Sequence, residues 1–232
     1  MDLPLVELQE FLNVHFAGRT DLRVLEAGCG SLVKMELPPG THIVGIDISE
    51  KQLLRNQSIV ERIVGDLQTY ELPPASYDMI VCWDVLEHLP HPQRAVERLL
   101  RAAKVGGIVI LAMPNVSSLK GQITKYSPHW FHVWMYRNFF GRKLAGTEDH
   151  GPFKTYLDPS IAPDSIRRFA VERRFSEIFF RLYETNLQRS TRKKVGLDGP
   201  AWSIVKGLTR VVTFGRIDPL NSDFIMVLKR DS

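Results

Sequence analysis

Four short segments of this chain place acids and glycines where chemistry could be done: VLEAGCGS (24–31), VGIDIS (44–49), VGDLQ (64–68) and YDMIVCWDVLEHLPHP (77–92). Gly28 and Gly30 follow an apolar run, and glycine there lets the backbone turn sharply and a ligand come close. Amides at a following helix start would then face an anionic group. Asp47 ends the second run, nineteen residues after Gly28, where an acid accepts both hydroxyls of a ribose in NAD or in any other adenosine ligand. A dinucleotide fingerprint would need glycine at position 33, which is Val33, so the ligand need not be a pyrophosphate. Gly28 and Asp47 alone leave the cofactor open. Asp66 ends the third run, where a carboxylate can accept from an adenine amino group, and Asp84 ends the fourth just before a helix start.

These acids need a scaffold that brings strand ends together. Runs at 22–27, 42–49, 58–66, 77–83 and 106–114 are rich in Val and Ile with little polar alternation, the pattern of strands buried on both faces of a parallel sheet. Between them lie helical stretches, clearest in HPQRAVERLLRAAKVGG, where Pro92 opens a helix, Ala95, Val96, Leu99, Leu100 and Ala103 share a face, and Gly106 is expected to stop it. The alternation predicts a Rossmann-like, doubly wound α/β sheet with its ligand at the carboxyl ends of the strands. After MPN the rhythm breaks, and 115–160 reads as a lid or binding insertion. A helix in PDSIRRFAVERRF, a strand in SEIFFRLYE, a basic RSTRKK, an amphipathic AWSIVKGLTRVV and a last strand DFIMVLKR follow. The expected organisation is one domain over 1–232, with a core of about 17–114 and 163–232 around the insertion.

Composition agrees with a globular chain. Apolar residues make up 44% and charged residues 24%, enough for a sizeable core. The +4 net charge comes from basic residues read as scattered among acids, so a nucleic-acid partner is not expected. Cys29 and Cys82 lack metal-ligand spacing, both are read as reduced thiols, and no metal is assigned. With no basic leader before an apolar core and no apolar run near the ~20 residues a bilayer requires, the expected location is cytoplasmic.

At the segments EAGCG, GIDIS, GD and DVLEHL, in this order and spacing, the chain resembles the class I S-adenosylmethionine-dependent methyltransferases, well over about 22–114 and more loosely at 163–184 and 223–230. The resemblance implies that Glu26, Gly28 and Gly30 hold the methionine portion of S-adenosylmethionine. It assigns Asp47 and Ile48 to ribose and adenine, Asp66 and Leu67 to adenine, and Trp83, Asp84 and Val85 to the stretch beneath the methionine that faces the acceptor. It also implies a seven-stranded sheet, mostly parallel, whose last strand runs antiparallel. Leu32 stands where such chains usually have glycine, and LVKMELPPG leaves room for only a short first helix.

The acceptor is expected to be a small molecule, methylated at oxygen rather than nitrogen: a natural product, quinone-like ring, sugar or lipid-linked glycan. A hydroxyl acceptor gains from a general base, and the candidates are His88 in LEHLP and the pair His129 and His132 in SPHWFHVW. In the insertion, Trp130, Trp134, Tyr136 and Tyr156, with His150, are candidate acceptor contacts amid nine aromatics that include Tyr126, Phe131, Phe139, Phe140 and Phe153. These rings either form a pocket or pack as the insertion's own small core. Arg189, Arg192, Lys193 and Lys194 precede AWSIVKGLTRVV, which either rests on an anionic membrane surface or packs on the body behind a solvated loop. Two other classes stay open: a nicotinamide-dependent oxidoreductase, and a module that binds the cofactor without transfer. Oligomeric state is left open.

Overall fold

A computed structural model describes residues 3–28, 30, 35–139, 141–147, 151–194 and 196–232. Seven strands form one sheet: β1 (Arg23–Ala27), β2 (His42–Asp47), β3 (Glu61–Val64), β4 (Tyr77–Trp83), β5 (Ala103–Pro114), β6 (Phe175–Tyr183) and β7 (Asp223–Arg230). Their order is β3-β2-β1-β4-β5-β7-β6. The first five are parallel, and β7 lies antiparallel between β5 and β6. The seven strands and the reversed last one match expectation.

Side chains that alternate along the strands feed two apolar layers. Val24, Met79, Val81, Ile108 and Ile110 face one side with Leu8, Leu12 and Phe16. Leu25, Ile80, Cys82, Val109 and Leu111 face the other, under Ala95, Val96, Leu99 and Ile166. The first layer is covered by helix α1 (Leu3–His15), which lies outside the core range expected from sequence. The second is covered by α3 (Pro92–Ala102) and α6 (Pro163–Val171). α2 (Glu50–Arg55), capped by the Ser49 side chain, packs Leu53 against Ile59 beneath the edge strand β3. β3 is shorter and more exposed than its apolar run suggested, because an edge strand needs only one neighbour.

Gly106 does not stop α3. The helix ends at Ala102, β5 begins at Ala103, and Gly106 sits inside the strand at φ +77°. There the register passes from Tyr77 opposite Ala103 to Met79 opposite Ile108, so the diglycine supplies a bulge. Gly107 is needed because a Cβ would stand 2.9 Å from the Lys104 carbonyl oxygen.

The stretch after β5 is more regular than its composition suggested. It holds α4 (Leu119–Tyr126), capped by Ser118, and α5 (His129–Asn138). After β6, the basic stretch is itself a helix, α7 (Asn186–Lys194), followed by α8 (Gly199–Val212). Of the stretch expected to hold a short first helix, residues 31–34 lie outside the described residues, and residues 35–41, leading into β2, hold no helix.

Candidate active site

β1 and β4 are neighbours, while β1 connects to β2 on its other side, so the chain's direction across the sheet reverses between β1 and β4. Crevices form at such switch points. Here a cleft of about 810 Å³ opens at the carboxyl ends of β1 to β4, within the range of small-molecule sites. It is lined by Gly28, Gly30, Asp47, Ile48, Asp66, Leu67, Trp83, Asp84 and Val85, all of them expected cofactor residues. Glu26, the remaining one, is buried on β1 behind this lining.

The two glycines serve different ends. Gly28 has φ +70°, its N–H donates to the Ile46 carbonyl at 2.7 Å, and a Cβ there would stand 2.3 Å from Val85 Cγ2. Its missing side chain is what lets the β1 and β4 turns touch. Gly30 has φ +50°, and a Cβ there would meet nothing within 4 Å. Its freedom from a side chain leaves the approach over the turn open to a ligand. Asp84 also sits at positive φ, +55°, with its N–H on the Ala112 carbonyl at 2.8 Å.

Two carboxylates of the cleft are fixed by their surroundings. Asp47 accepts from Gly30 N–H at 3.1 Å and from Ser49 N–H at 2.8 Å, one bond on each oxygen. A carboxylate offers about four lone-pair sites, so about two remain for a ribose diol. Asp66 accepts from Gln68 N–H at 2.8 Å and from the Gln68 side-chain amide at 3.2 Å, and Gln68 Oε1 accepts from His91 N–H at 2.9 Å. The donor and acceptor set fits S-adenosylmethionine: open backbone over Gly30, acids for ribose and adenine amino groups, and carboxylate character around a sulfonium.

His88, on a short 3-10 turn (Leu86–His88), is brought into the same cleft. Its Nδ1 lies 2.9 Å from the Lys154 carbonyl oxygen, which can only accept, so Nδ1 carries the proton and Nε2 keeps its lone pair. Burial pushes its pKa below the ordinary histidine value, against the opposing pull of that carbonyl and of Asp84. The ring meets Phe153 edge-on at 5.9 Å. Tyr156 N–H donates to the Glu87 carbonyl at 2.8 Å, so residues 153–157 clasp the turn. Glu87 is buried; burial first, and then the Asp84 charge, push its carboxyl up to about 8. Its Oε1 is 3.7 Å from His88 Nε2.

Not every candidate meets there. Tyr156 and Phe153 line the cleft, whereas His129, His132, Trp130, Trp134 and Tyr136 are on α5, none of them in the lining. His129 and both tryptophans are exposed, His132 Nε2 lies 3.1 Å from Ser127 Oγ, and Arg142 stacks over Tyr136. His150, Cys29 and Phe140 lie outside the described residues. Cys82 is buried, and burial pushes its thiol pKa up, as suits an inert core residue. Sequence reasoning missed Gln68 and Lys154. The signal for Gln68 was its place two residues after Asp66; Lys154 acts through its backbone, which side-chain identity does not reveal.

Comparison with known proteins agrees with this geometry. Residues 6–154 match the family model described as a methyltransferase domain. The ubiquinone biosynthesis O-methyltransferase of Dechloromonas aromatica is 32% identical over 103 residues, 40% of this chain and 44% of that protein. The chain thus spans less than half the length of the curated relatives it matches. An S-adenosylmethionine-dependent methyltransferase from Archaeoglobus fulgidus superposes with TM-score 0.55 at 15% identity, over 99% of this chain and 94% of the other. Phosphoethanolamine N-methyltransferase 2 of Haemonchus contortus, solved with S-adenosyl-L-methionine, gives 0.56 at 16% identity over 98% and 53%. These distant structures speak to the fold alone. Because the family match takes in more than half of the chain and the sheet order carries the reversed seventh strand, this chain belongs to the methyltransferase-domain family.

Proposed function

We propose that this protein transfers a methyl group from S-adenosylmethionine to a hydroxyl of a small, ring-bearing acceptor, in the manner of a quinone-precursor O-methyltransferase. The observation that carries the reading is the position of His88: an imidazole whose Nδ1 carries the proton and whose Nε2 keeps its lone pair, in the same cleft as Gly28, Asp47 and Asp66. The named relatives, O-methyltransferases of ubiquinone biosynthesis, support oxygen as the acceptor atom.

When bound, S-adenosylmethionine supplies an electrophilic methyl group on a sulfonium. Asp47 and Ile48 hold the ribose and adenine, Asp66 and Leu67 the adenine edge, and the Gly28–Gly30 turn with Glu26 the methionine end. Trp83, Asp84 and Val85 form the floor between donor and acceptor. His88 Nε2 takes the acceptor's hydroxyl proton, and the resulting imidazolium keeps its Nδ1–H on the Lys154 carbonyl oxygen. Such proton transfer is worth about 10²- to 10⁴-fold. Phe153 and Tyr156 flank the acceptor ring and exclude water. His129, His132 and the α5 aromatics then serve acceptor entry rather than proton transfer. No metal or nucleic acid is assigned a role, and a peripheral membrane contact is part of the proposal.

The sheet order argues against the nicotinamide reading, since the dinucleotide fold runs 3-2-1-4-5-6 without the inserted antiparallel strand. The test is release of S-adenosylhomocysteine from S-adenosylmethionine with catechols and hydroquinones as acceptors. Transfer to a phenolic oxygen, sharply reduced in His88→Ala, supports the reading; binding of donor with no transfer to any hydroxyl overturns it in favour of a binding module.

A further inference from the structure

Seven Lys and Arg but a single acid, Asp198, fall between residues 186 and 216, so this segment carries +6 while the rest of the chain is net negative. The scatter of basic residues read from composition therefore does not extend to α7 and α8. Arg192 fixes how these two helices sit. Its guanidinium forks onto the buried Glu184 carboxylate at 2.9 and 3.2 Å, donates to the Leu197 carbonyl at 2.9 Å, and lies 4.8 Å from the ring centre of Trp202. Trp202, the one buried residue of α8, thereby faces the body.

The opposite face of α8 is apolar and uncovered. Ile204, Leu208 and Val211 recur at helical spacing, with exposures of 70%, 62% and 73%, and Phe214, just past the helix, is 90% exposed. Lys193 and Lys194 at the end of α7 are exposed, as are Arg210 in the last turn of α8 and Arg216 just after Phe214. Core packing of α8 by its apolar face, the alternative drawn from sequence, is thus not what the structure has: only Trp202 is buried.

We propose that this face lies on an anionic lipid membrane, with Ile204, Leu208, Val211 and Phe214 in the acyl boundary and the surrounding lysines and arginines among anionic headgroups. Charge decides between occupants. A second copy of the chain would bring two +6 segments together, and like-charge juxtaposition opposes that pairing. An anionic bilayer instead gains both terms, apolar burial and attraction to the basic cluster. The docked face is also coupled to the mouth of the insertion: after α8, Asp218 N–H donates to the Ser117 carbonyl at 2.9 Å, and Leu119 N–H to the Asp218 carbonyl at 2.7 Å. A docked α8 would therefore hold the start of α4 near the lipid surface, where a membrane-resident acceptor could enter. That use of the contact rests on the methyl-transfer reading; the contact itself stands on α7 and α8.

The test is flotation of the full chain with phosphatidylcholine vesicles, with and without phosphatidylglycerol, alongside sedimentation velocity without lipid and a thermal shift with S-adenosylhomocysteine. Wild type is expected to float only with the anionic vesicles. Leu208→Glu should weaken partitioning about tenfold or more, and Lys193→Gln with Lys194→Gln about thirtyfold, from about fivefold per lost charge near the surface. Failure of wild type to float with anionic vesicles, or equal flotation of Leu208→Glu, overturns the proposal, as does a dimer that Leu208→Glu dissociates while flotation is absent. All variants should keep the S-adenosylhomocysteine shift. If that shift is missing in wild type while flotation persists, the methyl-transfer reading fails and the membrane contact stands.

Discussion

Asp47 Oδ2 accepts the Gly30 N–H at 3.1 Å, so the acid that ends β2 also holds the shape of the turn that ends β1. One carboxylate thus serves two purposes, with its second oxygen on Ser49 N–H and the remaining lone pairs toward the cleft. Asp47→Ala is expected to weaken S-adenosylhomocysteine binding about ten- to a hundredfold, since a hydrogen bond to a charged group is worth ~1.5–3 kcal/mol. Asp47→Asn, which keeps one acceptor oxygen, should fall between. Isothermal titration of both variants checks the order.

The two glycines of the turn predict a contrast. Gly28→Ala places a Cβ against Val85 and forces an alanine into positive φ, and should destabilise the fold by about 2 kcal/mol or more. Gly30→Ala adds backbone strain alone, about 1 kcal/mol, because nothing stands in the way. Val85→Ala should recover part of the Gly28→Ala loss and none of the Gly30→Ala loss. Urea denaturation of the four variants separates strain from collision.

His88 predicts a pH profile. Its pKa lies below the ordinary value, so the base form is already present at neutral pH. Activity toward a hydroxyl acceptor should rise with pH, with its midpoint below ~6.5, and stay flat above. His88→Ala should lose about 10²-fold or more in kcat and lose that acid limb. A profile with unchanged shape in the variant would assign the limb elsewhere.

Glu87 predicts the opposite trend in stability. Its folded-state pKa is raised to about 8, so the folded chain keeps a proton that the unfolded chain gives up near the ordinary carboxyl value. The stabilisation is fully present below the unfolded pKa and is lost progressively as pH rises to about 8. Glu87→Gln, which cannot ionise, should therefore gain on wild type between pH ~5 and ~8. Parallel urea melts across that range give the difference.

Much of the site was legible in sequence because its acids and glycines sit at strand ends, where apolar runs stop. Asp47, Asp66 and Asp84 each close such a run, and the structure brings all three to one cleft. What escaped has a physical reason. α1 was passed over because its stretch was read only for a leader, although its Leu8 and Leu12, with Phe16 just beyond, are buried in the apolar layer on one face of the sheet. Gly106 read as a helix stop because positive φ serves a bulge as readily as a C-cap, and residue type cannot tell them apart. The aromatics of the insertion read as either a pocket or a small core of their own, because aromatic density does not reveal direction: Phe153 and Tyr156 turn to the cleft while Trp130 and Trp134 face solvent.

The central claim is that the cleft takes a methyl donor, and calorimetric or thermal-shift binding tests it most directly. S-adenosylmethionine and S-adenosylhomocysteine, each at ~100 times its dissociation constant, should stabilise wild type by ~2.7 kcal/mol. NAD should not shift it, and Asp47→Ala, with its tenfold to hundredfold weaker binding, should keep only about 0.4–1.4 kcal/mol of that stabilisation at the same concentrations. Stabilisation by NAD alone, or by none of the three, would contradict the account.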